Sequence, residues 1–248
     1  GISGNIQMNG TRTLSSNVVI EYVGASNQQT GNLVSSADTL IVNTASGDLT
    51  ATNNLTVNTR LQFNNGRLRL GANNLTMGAS GVIAGANSLS YVVTNGSGSL
   101  RITVQNNSTN VPYPVGSATS YTPALVQLNG TSTTDVISVR VFDGVLSAAT
   151  SGTTIASSMV NRTWIVSENV VGGSNATITL QWNGTDEVGS FNRAFSAVSR
   201  FNTPTNQWTY VGTTFGAAAG TDPYTRSIAG VTSLTAFTVG DSFATSLP

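Results

Sequence analysis

Leucine returns at a short, nearly fixed interval through the first half of this chain. Leu49, Leu55, Leu61, Leu68 and Leu75, then Val82, follow one another at steps of six or seven residues. An amphipathic helix would need apolar residues at spacings of three, four and seven, with capping signals at its ends, and these are missing. Hairpin meanders use longer strands, with a turn signal every ~8–12 residues. From about Thr39 to Thr94 the strand-like pieces are much shorter: "TLIVN", "DLTAT", "NLTVN", "RLQFN", "GRLRLG". The pattern suits a β-solenoid in which each short strand is one face of a coil and an inward Leu stacks on the Leu of the next coil. Asn-Asn and Asn-Gly pairs fall where the corners belong. Both residue types tolerate positive φ, and stacked Asn side chains can hydrogen-bond along the axis. A plain antiparallel meander is the competing reading of the same stretch.

From Leu100 onward the strands lengthen and alternate. In "DVISVRVFD", Ile137, Val139 and Val141 share one face, while Val136, Ser138, Arg140 and Phe142 share the other. In "NATITLQWN", Ile178, Leu180 and Trp182 alternate with Thr177, Thr179 and Gln181. Strands of period two separated by Gly, Asn and Pro turns describe an antiparallel β-sandwich. The expected fold is therefore all-β: a short-strand solenoid or β-roll-like section over residues 1–98, then a β-sandwich over residues 99–248. The boundary falls between Val93 and Gly116, with "VPYPVG" at Val111–Gly116 as the expected hinge because prolines withhold ladder bonds.

Composition removes whole classes of chemistry. All ten basic residues are Arg, and Lys, His and Cys are absent from the 248 residues. A His/Cys zinc site, a thiol nucleophile and a Ser-His-Asp triad are excluded. So are a Walker-type phosphate loop, a Schiff-base lysine and a disulfide. Ten acids balance the ten Arg, so the basic stripe that nucleic-acid binding needs is missing. Arg60, Arg67 and Arg69 cluster, and are read as solvated or ion-paired. No apolar run reaches the ~18 residues of a membrane span. No cofactor is expected. Because the chain opens at Gly1 without a signal-peptide pattern, a removed leader or an excised piece is expected.

Several features compete as sites. Asp186-Glu187 is the one adjacent acid pair, too isolated for a calcium loop and read as a turn after the Trp182 strand. Trp164, Trp182 and Trp208 are candidates for a glycan-stacking platform, although their place in alternating strands favours packing between sheets. The threonines Thr50, Thr52, Thr56, Thr59 and Thr76 do not form the unbroken rank that an ice-binding face requires, and strand propensity accounts for them. Asn-X-Ser/Thr triplets, as at Asn54 and Asn107, are expected by chance at this Asn and Thr content.

The blocks "NNLTMGASGVIAGANSLSYVVTNGSGSLRITV", "VPYPVGSATSYTPALVQLNG", "VNRTWIVSE", "GGSNATITLQWNGTDE" and "SLTAFTVGDSFATSLP" occur in that order. Their succession resembles a recurrent region of large secreted cell-surface proteins of Bacteroidota, cargo of the type IX route, upstream of the sorting domain. The resemblance implies an extracellular or cell-surface location, with the leader removed, and an adhesive or structural role without catalytic residues. It also implies O-glycosylation at Asp-Ser/Thr followed by an aliphatic or small residue. Asp38-Thr39-Leu40 fits, making Thr39 the candidate, whereas Asp241-Ser242-Phe243 departs at its third position. In that family the region often runs on from a point near Leu247-Pro248.

These readings converge on a non-enzymatic extracellular structural protein, a subunit that joins with copies of itself into a surface filament. Open sheet edges on a chain without Lys gatekeepers invite a further strand. Two segments are candidates for strand addition: Asn17–Gly24, through Val18, Val19, Ile20 and Tyr22, and Ser233–Gly240, through Leu234, Phe237 and Val239. The alternative function is an adhesin or carbohydrate-binding module of a larger surface protein. The expected partners are thus the chain itself and, in the alternative, glycans, with neither nucleic acid nor membrane insertion.

Overall fold

A computed structural model describes residues 17–212 and 215–242, so Gly1 and Leu247-Pro248 lie outside the described residues. The regular structure of the described chain is almost all strand, with short 3-10 turns at Gly184–Asp186 and Arg193–Phe195. It forms two compact units, residues 17–103 with Pro114–Tyr121, and Val104–Tyr113 with residues 122–242.

The first unit is a parallel coil. Val19 lies against Thr39, Thr39 against Arg60 and Arg60 against Val82, steps of 20, 21 and 22 residues. A second face stacks Gln28, Leu49, Leu68, Val92 and Val115 in turn. A third stacks Ala37, Val57 and Met77, with Leu55, Leu75 and Leu100 beside them. The leucine step of six or seven is therefore the distance from one face to the next within a coil. The Leu that touches Leu49 along the axis is Leu68, three faces on. Leu40, Leu49, Leu55, Leu61, Leu68, Leu75 and Leu100 are all essentially sealed from solvent.

Two differences from the sequence reading have physical causes. The short strands fuse into Ser36–Thr50 and Leu55–Arg69, because backbone pairing continues around a coil's corner. Val82 leaves the inner ladder: it is 49% exposed, and its neighbour Ile83 takes the place on Leu61. Side chains alternate across a strand, so one residue of added corner moves the inward role to the next position.

Corner asparagines stack as their chemistry predicts. Asn65 Nδ2 donates to Asn43 Oδ1 at 3.2 Å, and Asn43 Nδ2 donates to Glu21 Oε1 at 2.9 Å. At another corner, Asn54 Oδ1 accepts from the Asn74 N–H, and Asn74 Oδ1 accepts from the Ser99 N–H. Each bond ties one coil to the next.

Tyr22 lies in the inner stack against Val42, with its hydroxyl donating to Thr30 O at 2.8 Å. Burial pushes its phenol up to about 12, against about 10 in an unfolded chain. The coil therefore keeps this stabilisation below pH ~10 and loses it as the pH climbs toward 12. Alkaline titration followed by circular dichroism should show unfolding that begins above about pH 10. Tyr22→Phe should move the onset upward; an unchanged onset would remove Tyr22 as its cause.

The second unit holds two large antiparallel sheets and a two-stranded ribbon of Val145–Leu146 with Thr154–Ile155. In one, Arg162–Glu168 lies between Asp135–Asp143 and Ala236–Asp241, and Ser196–Asn202 and Gln207–Tyr210 follow. In the other, Ala176–Trp182 lies between Tyr224–Val231 and Ala124–Leu128, which carries Val111–Tyr113 at its far side. Ile137, Val139, Val141, Ile178, Leu180 and Trp182 are fully buried on the faces their alternation assigns. Tyr113 Oη donates to Ile137 O at 2.9 Å, which ties one sheet to the other across the core.

Within the expected hinge, Val111–Gly116, the chain passes from one unit to the other between Tyr113 and Pro114, and it forms short strands on both sides. Val111–Tyr113 is an edge strand of the second unit, and Val115–Gly116 pairs with Val92–Val93 in the first. An edge position lets Pro112 sit in a strand without breaking an interior ladder.

Candidate functional sites

The first site is a strand edge. Val19–Gly24 pairs with Ser36–Thr50 on one side, and among the described residues no strand lies on its other side. The Val18 carbonyl accepts from the Asp38 and Thr39 N–H groups. Because successive residues point their N–H and C=O to opposite sides, those of Val19, Glu21 and Val23 face the open edge. The side chains agree with the register: Ile20 and Tyr22 are buried, while Val19 and Val23 are 61% and 63% exposed. Gln28 Nε2 donates to Val23 O at 2.7 Å and satisfies that one outward carbonyl.

The other proposed donor, Ser233–Gly240, is corrected. Ala236–Asp241 is buried at all six positions, with Phe237 and Val239 fully sealed. It pairs with Arg162–Glu168 on one side and Ser196–Asn202 on the other, and Leu234 lies just before it. A strand whose two edges are filled within its own sheet is not spare for a neighbour.

The second site is a groove of about 450 Å³ along one corner of the coil. Opposite the single residue Gly66, the neighbouring coil carries the four residues 44–47, since Asn43 pairs with Asn65 and Asp48 with Arg67. This bulge forms one wall, and the tight turn Asn87–Ser90 contributes another. Gly66 has φ +80, and a Cβ there would come within 2.0 Å of Thr44 Oγ1, so the corner requires glycine.

The groove's ionic floor is Asp48, which is 8% exposed. Arg67 reaches it through Nε at 2.8 Å and Nη2 at 3.1 Å, and Arg69 Nε also donates to it. Burial alone would raise this carboxyl. The hydrogen bonds and charges of the two guanidinium groups outweigh burial and hold it below the usual carboxylate range. Arg67 also donates to Ala118 O at 2.6 Å and lies 5.9 Å from the Tyr91 ring centre. Arg60 instead donates to Gln62 Oε1 at the surface. Of the three clustered Arg, two are therefore ion-paired. Comparisons with protein-family models, with curated proteins and with solved structures gave no match.

The tryptophan platform is overturned. Trp164 and Trp182 are fully buried and Trp208 is 4% exposed. Their indole N–H groups are engaged internally, on Thr122 O, Glu187 Oε1 and Leu146 O at 2.8–2.9 Å. Each ring fills the interior of the second unit, so none presents a flat face to a sugar.

Asp186 and Glu187 serve structure. Asp186 accepts from Arg162 Nη2 at 2.7 Å inside the fold. Glu187 Oε1 accepts from Trp182 Nε1 and from Arg193 Nε. Among the described residues, no three acids gather in a way that could hold a metal ion. No helix among them is long and apolar enough to cross a membrane. Thr39 is half-buried, with Val19 on one side and Arg60 on the other, and its hydroxyl lies 3.4 Å from Asp38 Oδ2.

Proposed function

We propose that this protein is a non-enzymatic extracellular structural protein, a subunit of a surface filament assembled by strand addition at the coil edge. The observation that carries the proposal is the Val19–Gly24 strand, which turns the backbone groups of Val19, Glu21 and Val23 outward beside exposed valines. Such an edge is a template for another chain's strand. Where the added strand comes from a different part of the neighbouring copy, the contact is head-to-tail and does not close, so it propagates. Two features favour association: the chain has no Lys to guard the edge, and a net charge of zero removes long-range repulsion. A non-enzymatic role is supported by the acids, since Asp48, Asp186 and Glu187 are each committed to an Arg. The family resemblance of the sequence blocks supports a location at the cell surface.

Electron microscopy of concentrated protein tests the reading, with Val19→Pro/Val23→Pro as the comparison. Each proline removes an outward N–H and leaves the bonds to Ser36–Thr50 intact. Filaments from the unaltered chain and folded monomers from the variant are expected. Uniform monomers from the unaltered chain would end the filament reading. Filaments from both would move the joint away from this edge.

A further inference from the structure

Building on strand addition at the coil edge, we propose that Gln28 is the stop that fixes where the added strand of a second copy must end, and so sets the register of the joint. Gln28 follows the edge strand around the next corner of the same coil and pairs with Leu49 on the second face. Its side chain turns back and donates from Nε2 to Val23 O at 2.7 Å. That oxygen faces the open side of the edge, so the amide stands where an incoming strand would run.

The outward groups show what remains open. Val19, Glu21 and Val23 turn their N–H and C=O groups to the open side, and Val23 O is the last of them along the chain. A neighbour's strand can bond the edge from Val19 up to the Val23 N–H. One step further it meets an oxygen that Gln28 has already satisfied. An N–H buried there without an acceptor costs about 1–3 kcal/mol.

Gly24 makes the stop steric as well. A Cβ at Gly24 would lie 2.2 Å from Gln28 Nε2, so the amide rests directly against the last residue of the edge strand. The φ of Gly24 is not positive, and its backbone would accept alanine. What requires glycine here is the seat of the amide. Any side chain would push it away from Val23 O.

Such a stop answers a problem of strand addition. Side chains alternate with a period of two, so a strand slipped by two residues keeps the same faces, and backbone pairing alone does not tell the two registers apart. A barrier at one end does. Lys, a common guard of exposed edges, is absent from the chain. A charged guard discourages every approaching strand, whereas a neutral amide closes one position and leaves the others open.

The test compares the unaltered chain with Gln28→Ala and Gly24→Ala, using sedimentation for the critical concentration of filaments and electron microscopy for their axial repeat. Gln28→Ala removes the amide, and Gly24→Ala displaces it while Gln28 stays, so a shared result belongs to the stop itself. Both substitutions should lower the critical concentration about 3–10-fold, the worth of one further neutral hydrogen bond. Both should also replace a single axial repeat with several. Loss of a merely structural contact would raise the critical concentration instead. A value unchanged or higher in either variant, or a single repeat kept in both, would overturn the proposal and leave strand addition standing. Absence of filaments from the unaltered chain would overturn strand addition and the stop together.

Discussion

Arg162→Met is expected to cost the second unit about 3–5 kcal/mol, because it strands a carboxylate in the interior. The side chains of Arg162 and Asp186 are 7% and 3% exposed. Arg162 Nη2 meets Asp186 Oδ1 at 2.7 Å, and Nη1 donates to Asn161 O at 2.6 Å. Asp143, 45% exposed at its side chain and 3.3 Å away, is a minor partner that water can replace. The other Asp186 oxygen accepts from the Asn183 N–H at 3.0 Å and from Asn183 Nδ2 at 3.4 Å, neutral donors that do not replace the charge of the guanidinium. The matched variant Arg162→Met/Asp186→Leu removes both charges and should recover most of the loss. Urea unfolding of the three proteins measures it. A single-variant loss below about 1 kcal/mol, the range of a solvated surface pair, would show that the pair is not sealed.

The second large effect belongs to the coil. Leu61 sits between Leu40 and Ile83 in the inner ladder and has no solvent exposure. Leu61→Ala removes packing toward both neighbouring coils and should cost about 2–5 kcal/mol. Val82 belongs to the same spaced series in the sequence but projects outward, so Val82→Ala should stay within about 0.5 kcal/mol. Thermal unfolding of the two variants separates inner from outer positions. Comparable losses would mean that the inward register starts at Val82 rather than at Ile83.

That contrast shows what could be read in advance. The leucine step identified coil faces, because every face must send an apolar side chain inward. It could not reveal that a full coil takes 20 to 22 residues on the face running from Val19 to Val82, because corner length is set by turns that leave no periodic trace. Alternation placed Ile137, Val139, Val141 and the Trp182 strand correctly, since one buried face per strand is sufficient to orient it. Alternation fails to distinguish edges from interiors. Val19–Gly24 and Ala236–Asp241 look alike as strings, yet among the described residues one has an open side and the other has none.

The groove was harder still. Asp48 and Arg67 lie 19 positions apart, and their contact follows from coil stacking rather than from any local motif. The groove's one indirect signal in the sequence is the "TASGD" stretch, Thr44–Asp48, whose small residues interrupt the strand rhythm where the bulge stands out.

The four residues opposite Gly66 carry a consequence for how such a chain can change. Asn43 and Asp48 keep their partners although the path between them is longer than in the coil above. Length at this corner is decoupled from register on the faces, so an insertion there is absorbed locally while the leucine ladder keeps count. Foreign peptide placed between Ala45 and Ser46 would extend the groove wall without rephasing a single strand. The coil thus behaves as a ruler with adjustable tabs: its faces preserve spacing, and its corners are free to acquire new recognition.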